Sequence, residues 1–382
     1  MEVSRSRLIG FITIAAGFSV ANLYYVQPLG ERIARELGTD AGGMSPVLAG
    51  TQLGYAAGMV LLAPLCDVRE RRSTIVSTAL GCAIALIAFA VAPSVAAMTV
   101  ASVAIGMGAS VTQMLLPFAV GLGTPAERGK IVGTVMGGVL AGILLSRALA
   151  GSLGEVIGWR GVFVAAACAM VVLAIVLRVL LPISPATTTL PYRALLSSMW
   201  KILKRERVLR RRTVIGAVGF AAFSVFWSTI AFQCKAAGLG GSGVAGGLGI
   251  LGLTGVVVAP IVGRAAMRIT PTKINILALA VIAVSFVVFW LGGASLIWIG
   301  VGVVLMDGGA QANHLTNQTV IFGLSPEERS RVNSIYMVGY FLGGALGTAI
   351  AAQAWQHGGW PAVCAAGGIA AILAIPALPK SV

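Results

Sequence analysis

Thr124-Pro-Ala-Glu-Arg-Gly-Lys130 recurs in this chain as Ser325-Pro-Glu-Glu-Arg-Ser-Arg331, at an offset of 201 residues. The same offset, without a gap, superimposes glycines and a tryptophan that follow each copy: Gly138 with Gly339, Gly142 with Gly343, Gly158 with Gly359 and Trp159 with Trp360. A single ungapped offset over residues 124–160 is specific to an internal duplication. The stretch therefore predicts a chain built from two related halves.

The composition is that of a membrane protein. The 382 residues are 58% apolar and 10% charged, with a mean hydropathy of +0.94, whereas a soluble domain is about 45–50% apolar and about 25% charged. These values exclude a disordered chain, a disulfide scaffold and an ordinary cytosolic enzyme. The long apolar runs exclude a β-barrel, whose strands alternate over about 10 residues. The five cysteines are scattered without a C-x-x-C pair, so we expect no metal or redox role.

Apolar runs long enough to cross a bilayer core of about 30 Å occur twelve times. They lie near 8–29, 45–66, 74–92, 95–121, 131–153, 159–181, 213–233, 243–263, 274–293, 295–322, 332–354 and 359–378. We therefore predict an all-α polytopic membrane protein with twelve transmembrane helices in two six-helix halves, 1–181 and 213–382, joined by a central loop, 182–212. Two parallel halves describe a large class of secondary carriers, with the substrate site between them near the midplane.

The charges are divided unevenly between the two sides of this topology. Of the 27 Lys and Arg, 21 fall on the side of both termini and the central loop, 4 fall on the other side, and Arg147 and Arg178 fall within spans. This asymmetry predicts cytoplasmic termini, and it explains the net charge of +15 without a nucleic-acid partner. The central-loop stretch Trp200-Lys-Ile-Leu-Lys-Arg-Glu-Arg-Val-Leu209 predicts an amphipathic segment on the inner lipid surface.

Five stretches together carry a family resemblance. They are Asn22-Leu-Tyr-Tyr-Val-Gln-Pro28, Asp67-Val-Arg-Glu-Arg-Arg72, the span 5 run from Gly137 to Gly151 around Arg147, the pair Gly158-Trp159, and the span 10 run from Asp307 to Gln318. With them the whole chain resembles a major facilitator superfamily transporter, and in detail the bacterial branch of drug or small-metabolite efflux antiporters. The resemblance implies a carrier of the bacterial inner membrane that uses protons, needs no cofactor and works as a monomer.

The resemblance also implies a gate at the inner membrane surface. In the family, the loop after span 2 forms charge interactions with neighbouring helix ends, and these break when the carrier opens inward. Asp67, Arg71 and Arg72 match that loop, and Glu127 and Arg128 are candidate partners. The alternative is that the arginines only set the topology and that Asp67 is a solvated loop acid.

Span 10 carries a polar stripe inside the membrane. Asp307, Gln311, His314 and Gln318 are spaced 0, +4, +7 and +11, so they fall on one face of a helix. Hydrocarbon cannot satisfy such a face, which must therefore line a water-filled cavity or form a seam with another helix. Seven further positions are expected to line the same cavity. They are Asn22, Tyr25, Gln52, Tyr55, Trp227, Tyr336 and Tyr340. Gln113 coincides with His314 under the repeat offset and joins them.

Charged groups at membrane depth are functional candidates by default, because burying them costs several kcal/mol. We expect Arg178 to reach the headgroups from the end of its span. Arg147, in contrast, lies in mid-span, where it either pairs with Asp307 or binds a polar or anionic group of the substrate. Proton binding to Asp307 that competes with such a pair would couple transport to protons, and His314 is a further candidate for the proton site.

These features predict a secondary active transporter that works by alternating access, and the family resemblance favours proton-coupled export of small, partly apolar molecules. One alternative is a proton symporter that takes up a small polar metabolite or an organic anion. A membrane scaffold or sensor is an alternative from another class. The sequence has no Gly-x-x-x-x-Gly-Lys-Ser/Thr loop for ATP, and no nucleophile or metal pair accompanies Asp307 and His314, so an enzyme is not expected.

Overall fold

The computed structural model describes residues 5–124, 127–186, 191–266, 268–324 and 328–375. All regular structure within these ranges is helical. The helices are α1 Arg5–Ala21, α2 Val26–Glu36, α3 Ala41–Leu61, α4 Leu65–Val68, α5 Arg71–Ala90, α6 Val95–Ala109, α7 Val111–Gly121, α8 Arg128–Leu180, α9 Tyr192–Arg205, α10 Arg207–Ala236, α11 Ser242–Gly247, a 3₁₀ segment Leu248–Leu253, α12 Thr254–Ala265, α13 Pro271–Gly292, α14 Leu296–Phe322 and α15 Arg329–Leu373.

Membrane-length segments confirm the polytopic all-α fold. Ten helical stretches of the described residues are long and apolar enough to cross a bilayer. Two of them, within α8 and α15, are double-length and reverse at Gly158 and Gly359, where φ is +72° and +58°. Glycine is favoured there because a Cβ clashes at positive φ. Counting both arms of α8 and of α15 yields the twelve predicted spans, and the two reversals are equivalent positions of the sequence repeat.

The repeat is also visible in helix packing. A Cβ on Gly142 would lie 2.2 Å from the backbone oxygen of Gly17, so α8 and α1 touch backbone to backbone. A Cβ on Gly343 would likewise lie 2.1 Å from the backbone oxygen of Ala217, which joins α15 to α10. Small residues permit this approach in membrane helices. Gly142 and Gly343 are therefore the same packing position in the two copies of the repeat.

Several predicted spans are interrupted, and one interruption matters for the site. Span 1 breaks over residues 22–25, between α1 and α2, because the Asn22 amide turns back to the Phe18 and Ser19 carbonyls and Pro28 follows. Span 8 is tightened into the 3₁₀ segment Leu248–Leu253. Parts of the predicted features lie outside the described residues: 1–4, 125–126, 187–190, Ser325 to Glu327 of the repeated motif, and 376–382 beyond the twelfth span.

The bundle has two ends, which we name by their charges. The basic end holds Arg5, the loop at Arg69 to Arg72, and the amphipathic helix α9. The opposite end holds the α2–α3 turn at residues 37–40 and the reversals at Gly158 and Gly359. The N-terminal helices α1–α8 contact the C-terminal helices α10–α15 through pairs such as α3 with α15, α2 with α10 and α8 with α11, and we call this contact the junction.

Candidate functional site

At the opposite end, the N-terminal and C-terminal helices are sealed together. The Gln52 amide in α3 donates to the Thr348 hydroxyl in α15 at 3.2 Å, and the Gln356 amide donates to Asp40 at 3.1 Å. Glu155 accepts the backbone N–H of Gly243 at 2.9 Å, which ties α8 to α11. Hydrogen bonds from Gly43 and Gln356 hold the pKa of Asp40 below its usual value, so the carboxylate stays charged. This end of the junction is closed.

At the basic end, the same helices separate around a cavity of about 820 Å³. Its walls come from the α3–α4 connection, α4, α7, α14 and α15, with side chains such as Pro64, Gln113, Phe322 and Asn333. Met199 of α9 covers part of its mouth. Ligand sites of this size hold drug-sized molecules. The molecule is therefore open at the basic end and closed at the other.

Aromatic and amide side chains gather on the wall between the cavity and the closed end. The Tyr340 ring stacks on Phe220 at 4.0 Å, and Tyr55 packs edge-on against Phe341 at 4.5 Å. Gln113 donates to the Tyr55 hydroxyl at 3.0 Å and also lines the cavity. The structure thus brings Tyr55, Gln113 and Tyr340 to the junction expected from the sequence.

The polar stripe of α14 forms a seam with neighbouring helices, and Gln318 bonds to Asn333, which lines the cavity. His314 and Gln318 are half-buried, and they bond to α15 through Tyr336, at 3.1 Å, and Asn333, at 3.3 Å. Gln311 is also half-buried and packs near Gly255 of α12. Asp307, at the other end of the stripe, is only 7% exposed. The side chains of the stripe are therefore half-buried near Gln318 and become buried at Asp307.

Arg147 and Asp307 approach one another without touching. The Arg147 guanidinium is 1% exposed and lies 4.1 Å above the Trp227 ring, and the Trp227 N–H reaches the Asp307 carboxylate at 3.5 Å. The ion pairs of the described residues do not include one between Arg147 and Asp307. The Trp227 indole therefore contacts both of the charges that the sequence considered as a direct pair.

Two residues beside Arg147 were missed by the sequence reasoning, and one expected residue lies elsewhere. Arg147 Nε donates to Gln27 at 2.9 Å, and its guanidinium lies 4.7 Å from the Tyr24 ring. Tyr25 instead packs edge-on against Phe163, 6.3 Å away, within the N-terminal helices. The reason is the break at residues 22–25, which ends the helical periodicity on which the choice of Tyr25 rested. Asn22 is buried nearby with its side-chain oxygen unbonded.

The loop after span 2 carries its charges as an ordered unit. Arg71 pairs with Asp67 at 3.2 Å and also contacts the Cys66 carbonyl, while Arg72 donates to the Leu181 carbonyl. Glu70 caps α5 by accepting hydrogen bonds from the backbone N–H groups of residues 72 and 73. Burial opposes its charge, but hydrogen bonds from Ser73 and Ser184 outweigh burial and lower the pKa of Glu70 to about 2.

Glu127 and Arg128, the candidate gate partners, do not join this unit. Glu127 accepts hydrogen bonds from Thr124 and from Arg5, which together lower the pKa of Glu127 to about 2. Arg128 is exposed and has no partner among the described residues. Because Glu127 pairs with Arg5 of α1, this acid links α1 to the start of α8 and does not pair with Asp67.

Comparisons with known proteins agree on one family. The Major Facilitator Superfamily profile matches residues 9–322. "Uncharacterized transporter YgaY" of Escherichia coli O157:H7 is 39% identical over 367 residues, covering 96% of this chain and 93% of that protein. "Probable transporter SCO4007" of Streptomyces coelicolor is 32% identical over 359 residues, covering 94% and 83%.

Solved structures share the fold at low identity. The crystal structure of the nucleoside transporter NupG superimposes with a TM-score of 0.79 at 13% identity, over 97% of this chain and 98% of that chain. An inward-facing, unoccupied bacterial homolog of the human lysosomal transporter Spinster superimposes with a TM-score of 0.77 at 14% identity, over 99% and 95%. At such identities the likeness concerns the fold alone.

Proposed function

Because this chain belongs to the Major Facilitator Superfamily and is a multi-pass membrane transporter of that type, we propose that it exports small, partly apolar molecules in exchange for protons. The observation that carries the proposal is Asp307, a buried carboxylate whose one described donor is the Trp227 N–H at 3.5 Å. Charging a carboxylate in such a place costs several kcal/mol unless a cation or good donors compensate. Asp307 is therefore the natural place for a proton to bind and leave.

The transport cycle follows from the two ends of the junction. The halves 1–181 and 213–382, joined by 182–212, rock about the central residues, so that the cavity is open at one end at a time. We assign the basic end to the cytoplasm of a bacterial inner membrane, with both termini there, because positively charged loops stay inside. The protein then stands open to the cytoplasm, ready to take up a molecule for export. We treat the monomer as the working unit.

The substrate class follows from the wall above the cavity. Tyr340 is half-buried and offers ring surface, backed by the buried rings of Tyr55 and Trp227, while the half-buried Gln113 and Gln311 offer amide groups. A pocket with apolar walls and a few polar groups suits a mixed ligand. In this transport cycle, the inner gate is formed by Asp67 together with Arg71 and Arg72, as the family resemblance implies.

The test is proton-coupled flux in proteoliposomes. A sensitivity screen of cells with and without the protein first selects an exported compound, and its flux is then driven by a pH gradient. Asp307→Asn should reduce the flux driven by the pH gradient about tenfold or more while the protein still folds. Arg147→Ala should reduce the same flux to a smaller extent. Glu31→Gln, which removes an acid from a surface pair with Arg35, is the control. Unchanged pH-driven flux in both Asp307→Asn and Arg147→Ala would overturn the proposal.

A second candidate is uptake of an organic anion together with a proton, and one observation favours it. The terminal nitrogens of Arg147 donate to no described residue, and Nη2 is fully buried. A guanidinium edge of this kind suits a carboxylate or phosphate. The direction of coupling separates the two candidates: export by antiport moves compound and proton in opposite directions, whereas uptake by symport moves them together.

A further inference from the structure

Arg212 is a buried cation that the loop-charge count placed at the surface. It lies in α10, is 4% exposed, and donates to Asn275 at 2.6 Å and to Asn317 at 3.3 Å. Both asparagines donate in turn to the side-chain oxygen of Asn313, at 2.6 and 3.4 Å. The Asn313 amide donates to the Ile215 carbonyl of α10, so these hydrogen bonds form a closed ring that begins and ends in α10. Three helices of the C-terminal part are joined by this ring.

Arg212 sets the direction of every bond in the ring. A guanidinium only donates, so the oxygens of Asn275 and Asn317 must face Arg212 and their NH₂ groups must face away from it. The orientation of an asparagine amide is usually an assignment, but here a donor-only residue decides it. The NH₂ group of Asn317 is therefore available to groups on its other side.

Tyr336 lies on that side. Its hydroxyl is buried and lies near the Asn317 side chain and the positive charge of Arg212. Both neighbours are electropositive, so the oxygen turns its lone pairs to them and its proton elsewhere. Among the hydrogen bonds of the described residues, the one partner of this hydroxyl is Nδ1 of His314, 3.1 Å away. Tyr336 therefore donates to Nδ1, and Nδ1 must be an acceptor.

We infer that His314 is held as the neutral tautomer with its proton on Nε2, and that this N–H is a hydrogen-bond donor for an oxygen of the transported molecule. Arg212 is the positioning residue, acting through Asn317 and Tyr336. The His314 imidazole is half-buried and lies one turn of α14 from Gln318, whose partner Asn333 lines the cavity. Its Nε2 has no hydrogen-bond partner among the described residues and is not one of their fully buried unpaired atoms, so it is open to a further hydrogen bond.

The neighbours of His314 narrow the ligand class. The Tyr340 ring lies 4.7 Å from the His314 ring and continues into the stack with Phe220. A flat, partly apolar molecule that packs on these rings and presents a carbonyl or carboxylate oxygen to Nε2 satisfies both surfaces. The ligand part of this inference rests on the proposed transport function, whereas the tautomer does not.

Nitrogen NMR tests the tautomer without any substrate. The chain has two histidines, so His357→Gln leaves His314 alone in ¹⁵N-histidine-labelled protein. We expect a pyridine-type signal from Nδ1 and a pyrrole-type signal from Nε2 whose proton exchanges with water. Tyr336→Phe should remove the preference, whereas Arg212→Lys, which keeps a donor-only cation, should retain it. A protonated Nδ1, an unchanged spectrum in Tyr336→Phe, or an Nε2 proton shielded from water would each overturn the inference.

The ligand part is tested by titration with 9-fluorenone, a flat aromatic ketone, against fluorene, which has the same shape without the oxygen. Fluorenone should shift the Nε2 signal and fluorene should not. No shift with fluorenone, or equal shifts with both, would overturn the acceptor site even if the tautomer is as inferred. Failure of proton-coupled flux with the expected NMR result would instead overturn the proposed function alone.

Discussion

Gly246 should control which end of the transporter is open. It lies in α11, at the sealed end of the junction, where a Cβ would stand 2.3 Å from the backbone oxygen of Arg147 and 3.2 Å from the Cα of Gly151 in α8. Those atoms are backbone and cannot rotate away. Gly247, the next residue, has nothing within 4 Å of the position of a Cβ. Gly246→Ala and Gly247→Ala are therefore a matched pair on one helix.

The size of the effect follows from this distance. Ordinary contact requires at least 3.4 Å, so Gly246→Ala must push α11 from α8 by about 1 Å. Overpacking of this degree costs about 1–3 kcal/mol. The cost falls on the state that is closed at this end, because opening separates α8 from α11. An energy of 1–3 kcal/mol corresponds to about a 5–150-fold change in the ratio of the two states. Both variants share the gain of about 1 kcal/mol in helix propensity, which cancels in the comparison.

Distances between spin labels at the opposite end measure this ratio. Labels at Arg35 in α2 and His357 in α15, both exposed, with Cys168→Ser to remove the exposed cysteine, report the separation of the two sets of helices. Gly246→Ala should populate a longer distance that is minor in the parent and in Gly247→Ala. Identical distance distributions in the two variants would refute the reasoning that this glycine contact seals the closed end.

Three further outcomes are expected. Glu70→Ala should lower the free energy of unfolding by about 1–2 kcal/mol by removing the cap of α5. Because the pKa of Glu70 is about 2 against a usual 4.5, the stabilisation by its carboxylate is complete above pH 4.5 and is lost as the pH falls towards 2. The stabilities of the variant and the parent should therefore converge in acid unfolding experiments. Asp67→Asn should change the free energy of unfolding by less than about 1 kcal/mol, since its pair with Arg71 is partly exposed, yet it should shift the distances between the labels at Arg35 and His357, which report the ratio of the two states; an unshifted distribution removes the gate role. Trp227→Phe keeps a ring over Arg147 but removes the donor to Asp307, so it should alter the pH dependence of flux more than the affinity for the exported compound, and an unaltered pH profile would contradict a role for that hydrogen bond.

The sequence was sufficient for the fold because the bilayer imposes simple conditions. A span must be long and apolar, and its backbone must bond within itself, so apolar runs predict helices directly. The duplicated glycines also predicted that the two halves contain equivalent helix contacts. Gly142 and Gly343 are such equivalent contacts, as the offset indicated. Periodicity also placed His314 and Gln318 together on one face of α14, since an unbroken helix keeps its phase.

The errors and omissions at the site arise where the helix breaks or where a contact joins distant parts of the chain. Tyr25 was expected at the cavity and Tyr24 was not, because the break at residues 22–25 shifts the phase. Arg212 was counted as a loop charge, since the loop's composition does not reveal that α10 begins at Arg207 and carries Arg212 into the interior. The pattern Asn275, Asn313 and Asn317 was a visible signal: polar amides in apolar spans need partners.

The sequence by itself determined that the chain is a two-fold repeated, all-helical membrane protein and which residues carry charge inside it, because hydropathy and periodicity are local properties. Only the tertiary structure decided that Trp227 contacts both Arg147 and Asp307, that Glu127 pairs with Arg5, and that the junction is sealed at one end and open at the other. These outcomes depend on side chains from helices far apart in the chain, and the geometry that brings them together is set by packing, which has no local signature.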